Sequence, residues 1–184
     1  DAAVSGGAHT PVPAGATIGF LGGGQLGRMT AMAARTLGYD VRVLDPEKDC
    51  PARGVSSHTI TAAWSDVAAA AELAQGCAAV TLEIEQIPRP SLEAVARTAP
   101  LHPGVDAVFT VQERARQKQW LERHHFPLGA FRVVTDAAAA EAAVAALGPS
   151  IVKAAMGGYD GRGQVRVKTA AEGRAAFEQL KAPV

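Results

Sequence analysis

The sequence predicts an α/β fold built on a parallel, doubly wound sheet. From residue 16 onward, short β-rich runs alternate with alanine-rich helical runs, as in "TIGFLG" followed by "GQLGRMTAMAARTLG". Three glycines, Gly22, Gly24 and Gly27, lie between that first strand and its helix. Strands and helices alternating at this spacing form right-handed βαβ units, whose strands pair in parallel.

The elements of the first domain follow in order along residues 16–112. After the first helix, which is expected to end at Gly38, "YDVRVLD" and "HTITA" are predicted as the second and third strands. "DVAAAAELAQG" is a helix capped by Asp66, "CAAVTLEIE" is the fourth strand, and "SLEAVARTA" belongs to the next helix. Residues 1–15 are rich in Gly, Ala and Pro, so a disordered leader is expected there.

The pattern changes after a domain boundary that we place near Gln112. "QERARQKQWLERHH" is predicted as a charged helix, "GAFRVV" as a strand, and "DAAAAEAAVAALG" as a helix capped by Asp136 and ended by Gly148. "SIVKAA" and "GQVRVK" are predicted strands joined by a long glycine loop, and "AAEGRAAFEQLKA" begins a last helix. Residues 113–184 therefore predict an unfinished second domain.

The composition excludes several classes of partner. Lys and Arg number 18 and Asp and Glu number 18, and aromatic residues make up only 5%. Nucleic acids and membrane surfaces are bound through concentrated positive charge, so neither is expected as a partner. No apolar run approaches the roughly 20 residues that span a bilayer, and there is no signal-peptide pattern. Cys50 and Cys77 fit no metal or disulfide spacing, and we expect a cytoplasmic protein.

The first glycine loop has two interpretations. Gly22, Gly24 and Gly27 match G-x-G-x-x-G, and Asp45 follows about 20 residues later, as in a dinucleotide-binding unit. Backbone N–H groups at this helix N-terminus could bind a phosphate, with Asp45 on a ribose. The glycines could equally serve only a tight turn and close helix packing, with Asp45 as a strand-end turn residue.

Two glutamates end the fourth predicted strand. Glu83 and Glu85 are two residues apart, so within a strand both side chains would point to the same face. They would lie at the carboxyl end of the sheet, where open parallel sheets bind ligands. We expect at least one of them to contact a ligand; the alternative is a solvated strand end.

The second glycine loop, Ile151–Val167, carries the most functional information. Lys153 ends a strand and is followed by a loop of four glycines interleaved with Tyr159, Asp160 and Arg162. Such a loop can fold its N–H groups over phosphates while the lysine supplies positive charge. Because a plain hairpin needs only two to five loop residues, we interpret this one as a mobile lid rather than an idle hairpin.

Four motifs together resemble one enzyme family. "GGGQLGRM", "VLDPEKDCPA", "TLEIEQIP" and "IVKAAMGGYDGRGQ", in this order and spacing, resemble the 5-(carboxyamino)imidazole ribonucleotide synthetases, which are ATP-grasp ligases of purine biosynthesis. The resemblance runs from about Ile18 to the chain end. It implies a Rossmann-like pre-ATP-grasp domain followed by the first part of an ATP-grasp domain, as an N-terminal fragment.

The resemblance also implies a reaction and its residues. ATP and bicarbonate would form carboxyphosphate, which carboxylates the amine of 5-aminoimidazole ribonucleotide. Catalytic roles facing bicarbonate and the ribonucleotide would fall to Tyr159, Asp160 and Arg162. ATP phosphates would be bound by Arg114, Lys153, Gly158, Gly161, Gly163 and Gln164. The ribonucleotide would be seated by Gln25, Leu26 and one of Glu83 and Glu85.

Parts of the family pattern are absent from this chain. Many relatives have a basic residue where this chain reads Ala154-Ala155-Met156. The Mg²⁺ ligands of the family are expected beyond residue 184, so no metal ligand is assigned here and the 184 residues alone are expected to be inactive. The oligomeric state is not given by the sequence, and a homodimer is one option left open.

Two alternative functions remain. Another ATP-grasp carboxylate-amine ligase would share the architecture but carry a different glycine loop. A non-catalytic dinucleotide-binding module would use the first loop and Asp45, but it leaves "KAAMGGYDGRG" unexplained.

Overall fold

The computed structural model describes residues 11–157 and 163–180, which divide into two compact units after Val108. Most of the leader expected at residues 1–15 lies outside the described residues. Pro11 onward is described, and within it the backbone N–H of Gly15 donates to the carbonyl oxygen of Gly38 at 2.8 Å. Tyr39 Oη also donates to the carbonyl oxygen of Val12 at 2.8 Å. These two hydrogen bonds therefore hold the last residues of the leader against the first unit.

The first unit is a four-stranded parallel sheet with helices, as the sequence predicts. Its strands are β1 Thr17–Leu21, β2 Asp40–Asp45, β3 His58–Thr61 and β4 Cys77–Leu82. They lie in the order β3-β2-β1-β4, so the chain winds outward from β1 in one direction and then crosses to its other side. The carboxyl end of β1 thus lies at the point where the winding reverses, which is where such sheets bind ligands. The helical elements between and after these strands are α1 Gln25–Thr36, a 3₁₀ turn Pro51–Val55, α2 Val67–Ala74, α3 Arg89–Thr98 and α4 Val105–Gln112.

Hydrophobic side chains cover both faces of this sheet. Leu21, Leu44 and Val80 pack with α2, α3 and α4 in one cluster, whereas Phe20 and Val43 pack with α1 in another. Neighbouring residues of a strand point to opposite faces, so consecutive apolar residues in β1 and β2 supply both clusters. This arrangement fixes the strand ends that carry the first glycine loop.

The second unit is smaller and has a two-stranded antiparallel sheet. Val152 and Val165 pack against a cluster of Val144, Val167 and Ala176, so one face of the sheet is covered by helices. The other face of the strands is exposed. The elements are α5 Arg114–Arg123, α6 Ala137–Leu147, β5 Ser150–Lys153, β6 Gln164–Val167 and α7 Ala170–Leu180.

Local signals for helix ends are confirmed. The side chains of Asp66 and Asp136 accept hydrogen bonds from the backbone N–H groups of Ala69 and Ala139 at 2.9 and 2.8 Å. Each bond satisfies an N–H group that the first turn of a helix leaves unpaired.

Three predictions about elements were wrong or incomplete. The segment "GAFRVV", 129–134, is not a strand, because it finds no ladder partner among the described residues. The fourth strand ends at Leu82, so Glu83 and Glu85 do not alternate within a strand; they lie in the bend and turn that follow it. Val105–Gln112 is helical, although the sequence pattern did not predict a helix there.

The described residues contain no helix that is both long and apolar enough to cross a membrane.

Candidate functional site

The first glycine loop is closed by an acidic side chain from beyond β4. Glu83 Oε2 accepts a hydrogen bond of 2.7 Å from the backbone N–H of Gly27, in the first turn of α1. A Cβ atom added at Gly24 would lie 2.3 Å from Glu83 Oε1, and one at Gly27 would lie 2.2 Å from Oε2. Both distances are far inside van der Waals contact. The carboxylate can therefore occupy this position only because residues 24 and 27 are glycine.

The position of Glu83 has an electrostatic explanation. The N-terminus of a helix carries partial positive charge and unpaired N–H groups. In α1, no side chain makes a capping hydrogen bond at Gly24, and the first turn contains no acidic residue. Glu83 supplies the missing negative charge from outside the helix.

Asp45 holds the other side of the same loop. The residue is 8% exposed, and its Oδ2 accepts from the N–H of Gly23 and its Oδ1 from the N–H of Glu47, both at 2.8 Å. A Cβ at Gly23 would lie 2.6 Å from Cys50 Sγ, so the loop also packs closely on that thiol. Two N–H groups of the loop are thus bound by the protein's own carboxylates. This geometry favours the turn-and-packing interpretation over a site for a dinucleotide.

The sequence-predicted substrate residues meet at one end of α1. Gln25 and Leu26 are the first two residues of the helix and are exposed, and Glu83 binds its first turn. Glu85 is exposed in the turn two residues later. Leu26 is 65% exposed and offers an apolar contact beside polar groups.

The cysteines do not contribute reactive groups. Burial raises the pKa of the Cys50 and Cys77 thiols, and the nearby charge of Asp45 raises that of Cys50 further. Both thiols therefore stay protonated at neutral pH, which makes them poor nucleophiles and poor metal ligands. No group of three or more His, Cys, Asp or Glu side chains suitable for a metal occurs in the described part of the chain.

A second site lies within the second unit. A cavity of about 650 Å³ is bounded by α5, α6, the segment 130–134 and the β5–β6 sheet. Acidic side chains are absent from its lining, among the described residues. Its basic lining residues are Arg114, Lys118, Arg132, Lys153, Arg166 and Lys168. A cavity with this charge attracts anions, and its volume is in the range of small-molecule sites.

A backbone contact brings Arg114 and Lys153 to the same cavity. The N–H of Arg114, at the start of α5, donates to the carbonyl oxygen of Ala155 at 2.7 Å. Ala155 follows Lys153 by two residues, so the first turn of α5 is fixed beside the end of β5. The two residues predicted to contact phosphates are 39 positions apart in sequence (153 − 114) but line one cavity.

The base of the second glycine loop is also defined. The N–H of Ala154 donates to the carbonyl oxygen of Gly163 at 2.8 Å, and Gln164 pairs with Lys153. Gly157 and Gly163 have positive φ angles of 73° and 72°, which favour glycine because L side chains are strained there. The predicted residues of the loop interior, Gly158, Tyr159, Asp160, Gly161 and Arg162, lie outside the described residues, as does most of the loop that we interpret as a mobile lid.

Sequence reasoning missed four cations of the cavity, namely Lys118, Arg132, Arg166 and Lys168. Two signals could have found some of them. Lys118 is four residues after Arg114 and so lies on the same side of α5. Arg166 and Lys168 alternate with Val165 and Val167, which is the period of a strand with one charged face.

Two family models match the chain. The model of the ribonucleotide synthetase preATP-grasp domain matches residues 15–112, which is more than half of the chain. The model of the ATP-grasp domain matches residues 119–184. The fold expected from the resemblance is therefore confirmed in both parts.

Curated and solved relatives agree with these models. N5-carboxyaminoimidazole ribonucleotide synthase of Brucella melitensis is 41% identical over 178 residues, covering 95% of this chain and 49% of the relative. The Staphylococcus aureus N5-carboxyaminoimidazole synthetase complexed with ADP superposes with a TM-score of 0.87 at 35% identity, over 94% of this chain and 46% of that one.

A fungal structure extends the comparison. The Aspergillus clavatus synthase in complex with ADP and 5-aminoimidazole ribonucleotide has a TM-score of 0.77 at 31% identity, over 92% of this chain and 45% of that one. This chain spans about half the length of the curated relatives it matches. From the match along residues 15–112, and from the ATP-grasp match that follows it, the chain belongs to the ribonucleotide synthetase preATP-grasp family.

Proposed function

We propose that the intact protein carboxylates the amine of 5-aminoimidazole ribonucleotide, using ATP and bicarbonate, in de novo purine biosynthesis. The observation that carries the proposal is the cation-lined cavity of the second unit, in which Arg114 and Lys153 meet at the base of the glycine loop. Family membership and the relatives' complexes with ADP and with 5-aminoimidazole ribonucleotide support it.

The cavity suits the polyphosphate of ATP. Arg114 and Lys153 offer positive charge from two elements, and no described acid of the lining opposes it. Phosphoryl transfer depends mostly on positioning and on neutralising charge, which such residues supply. We assign the backbone of Gly158, Gly161, Gly163 and Gln164 to covering the phosphates.

The reaction would proceed in two steps. A bicarbonate oxygen attacks the γ-phosphorus of ATP, giving carboxyphosphate and ADP. The amine then attacks the carboxyl carbon, the bond to the phosphate oxygen breaks, and inorganic phosphate leaves as the amine loses a proton. We assign the binding of bicarbonate and the ribonucleotide to three residues of the loop. These are Tyr159, a hydrogen-bonding group, Asp160, which is negatively charged, and Arg162, which is positively charged.

The ribonucleotide would bind near the N-terminus of α1. Gln25 and Leu26 are exposed there, and Glu83 is fixed against the helix through Gly27. A carboxylate that already accepts one bond retains further lone pairs for an aminoimidazole N–H group. Glu83 is the better placed of the two glutamates, because its bond to Gly27 fixes its position; Glu85 would act from the adjacent turn.

Magnesium does not fit the described residues of this cavity. Mg²⁺ takes oxygen ligands, usually including carboxylates, and the described lining contains no Asp or Glu. We therefore assign no step to a metal through these residues.

The proposal has three further features. They are a domain boundary between residues 112 and 113, a cytoplasmic location and a homodimeric state. Analytical ultracentrifugation of the intact protein would measure the mass of the homodimer.

The proposal is tested by phosphate release from ATP by the intact protein, with and without 5-aminoimidazole ribonucleotide. We expect release to be stimulated by the ribonucleotide and to need bicarbonate. Lys153→Ala should weaken ATP binding, whereas Asp160→Ala and Arg162→Ala should lower turnover more than ATP affinity. Arg123→Ala removes an exposed charge of α5 that does not line the cavity, and it should change neither.

Two results would contradict the proposal. One is ribonucleotide-independent ATP hydrolysis, or none at all, by a well-folded intact protein. The other is calorimetric binding of NAD at micromolar affinity, about −8 kcal/mol, which would favour a dinucleotide-binding module instead.

A further inference from the structure

The exposed face of the β5–β6 sheet carries a second cation beside Lys153. In the antiparallel register, Ile151 pairs with Arg166 and Lys153 pairs with Gln164. Paired residues project to the same face, and all four are exposed, whereas Val152 and Val165 face the helices. Arg166 and Lys153 are therefore diagonal neighbours on one face of the sheet, and both line the cavity.

This arrangement leaves two like charges close together without a described counter-charge. Diagonal neighbours of a sheet are within reach of long side chains, and two positive charges at such a distance repel each other. Neither Arg166 nor Lys153 forms an ion pair with any acid that the structure describes. An anion bound against this face would relieve the repulsion.

The spacing along the strands indicates which part of a nucleotide Arg166 would meet. Arg166 is level with Ile151, two residues farther from the glycine loop than Lys153, which corresponds to about 6.6 Å along the sheet. With this offset of their backbones, the two side chains could contact different phosphates of an extended polyphosphate. A guanidinium can also bind phosphate oxygens in bidentate fashion, which a lysine cannot.

We propose that Arg166 is a second polyphosphate-binding residue of the cavity, contacting the phosphates nearer the nucleoside while Lys153 contacts those farther from it. This inference rests on the proposed nucleotide site. Arg166 does not carry the reaction; it binds and positions the substrate that Lys153 and Arg114 also bind.

The test is calorimetric titration of the intact protein with ADP and, separately, with adenosine. Arg166→Ala should weaken ADP binding about tenfold, the loss typical of a charge-assisted hydrogen bond, and leave adenosine binding unchanged. Arg166→Lys keeps the charge and should recover part of the affinity. Arg123→Ala, the matched loss of an exposed arginine outside the cavity, should bind ADP as the unaltered protein does.

The outcomes separate this inference from the proposed function. If Lys153→Ala weakens ADP binding but Arg166→Ala does not, the inference is wrong and the nucleotide site stands. If the unaltered protein binds no ADP, both are wrong. Equal losses for ADP and adenosine in Arg166→Ala would also overturn the inference, because a phosphate contact cannot affect adenosine.

Discussion

The side chain of Glu83 depends on two glycines, Gly24 and Gly27, because its carboxylate fills the space that a side chain at either position would need. The two glycines differ in an informative way. At Gly27 an added Cβ would also come within 2.7 Å of the carbonyl oxygen of Gly22, whereas at Gly24 the three nearest atoms all belong to Glu83. A substitution at residue 24 therefore tests the position of the Glu83 side chain without a close backbone contact.

Gly24→Ala should lower the free energy of unfolding by about 1–2 kcal/mol, because it expels the carboxylate from its charge-assisted bond to Gly27. In a Glu83→Ala background the same substitution should cost less, about 0.5 kcal/mol, because only the poorer fit of Ala than of Gly at an N-cap remains. Urea unfolding of the four proteins in the double-mutant cycle measures the coupling.

Gly54→Ala is the control for the effect of a new methyl group, since nothing lies within 4 Å of its added Cβ. Equal costs of Gly24→Ala with and without Glu83 would show that the carboxylate does not occupy this position.

The sequence indicates these residues as candidates, but it does not predict that they contact each other. The glycine spacing and the acid-rich end of the fourth strand mark Gly27 and Glu83 as candidates, yet their bond links positions 56 apart. Strand periodicity placed Glu83 beside Glu85 on one face, which was wrong because β4 ends one residue earlier. Contacts between a loop and a distant strand end depend on the register of the whole sheet, which a local pattern does not contain.

At the scale of elements, the sequence predicted correctly those features that depend on residues close together along the chain. The caps of α2 and α6 were predicted because Asp66 and Asp136 bond N–H groups only three residues away. The segment 129–134 was predicted as a strand from its side chains and is not one, because a strand also needs a partner for its backbone. The β5–β6 pair was predicted because its two strands are close in sequence and supply each other's partner.

The packing of α6 against α7 leads to a prediction with a definite sign. Gly173 is buried in α7, and an added Cβ would lie 2.6 Å from Val144 Cγ2. Gly→Ala inside a helix normally stabilises by about 1 kcal/mol. Here overpacking should outweigh that gain, so Gly173→Ala should lower the free energy of unfolding by about 1 kcal/mol.

Chemical denaturation of Gly173→Ala, alone and with Val144→Ala, measures this effect. The smaller side chain at 144 removes the closest contact, so the cost of Gly173→Ala should shrink in that background. Gly129→Ala, whose added Cβ meets nothing within 4 Å, is the control. A stabilising Gly173→Ala would show that the two helices are not packed as closely as described.

For the whole molecule, the division into two units raises the question of where the first one ends. Val108 is 1% exposed and packs in the same cluster as Leu73, Ile87 and Leu101. Helix α4 therefore contributes to the core of the first unit, although the sequence pattern gave no sign of a helix there. The family model for this domain also extends to residue 112.

A chain of residues 11–112 should unfold cooperatively, whereas one of residues 11–104 should be less stable by about 1.5–3 kcal/mol, because it loses the buried side chain of Val108. Circular dichroism during urea titration compares the two chains, and Val108→Ala in the longer one isolates the contribution of that residue. Equal midpoints for the two chains would exclude α4 from the core of the first unit.

The bond from Glu83 to Gly27 also limits how this loop can be redesigned. Changing the loop alone could not turn it into a dinucleotide site, because the N-terminus of α1 already binds the carboxylate of Glu83, which lies in the bend after β4. An incoming pyrophosphate would meet a carboxylate of like charge at the very groups it must bind. A design of this kind would have to replace residue 83 together with the glycines. The loop and the residues that follow β4 must therefore be redesigned together.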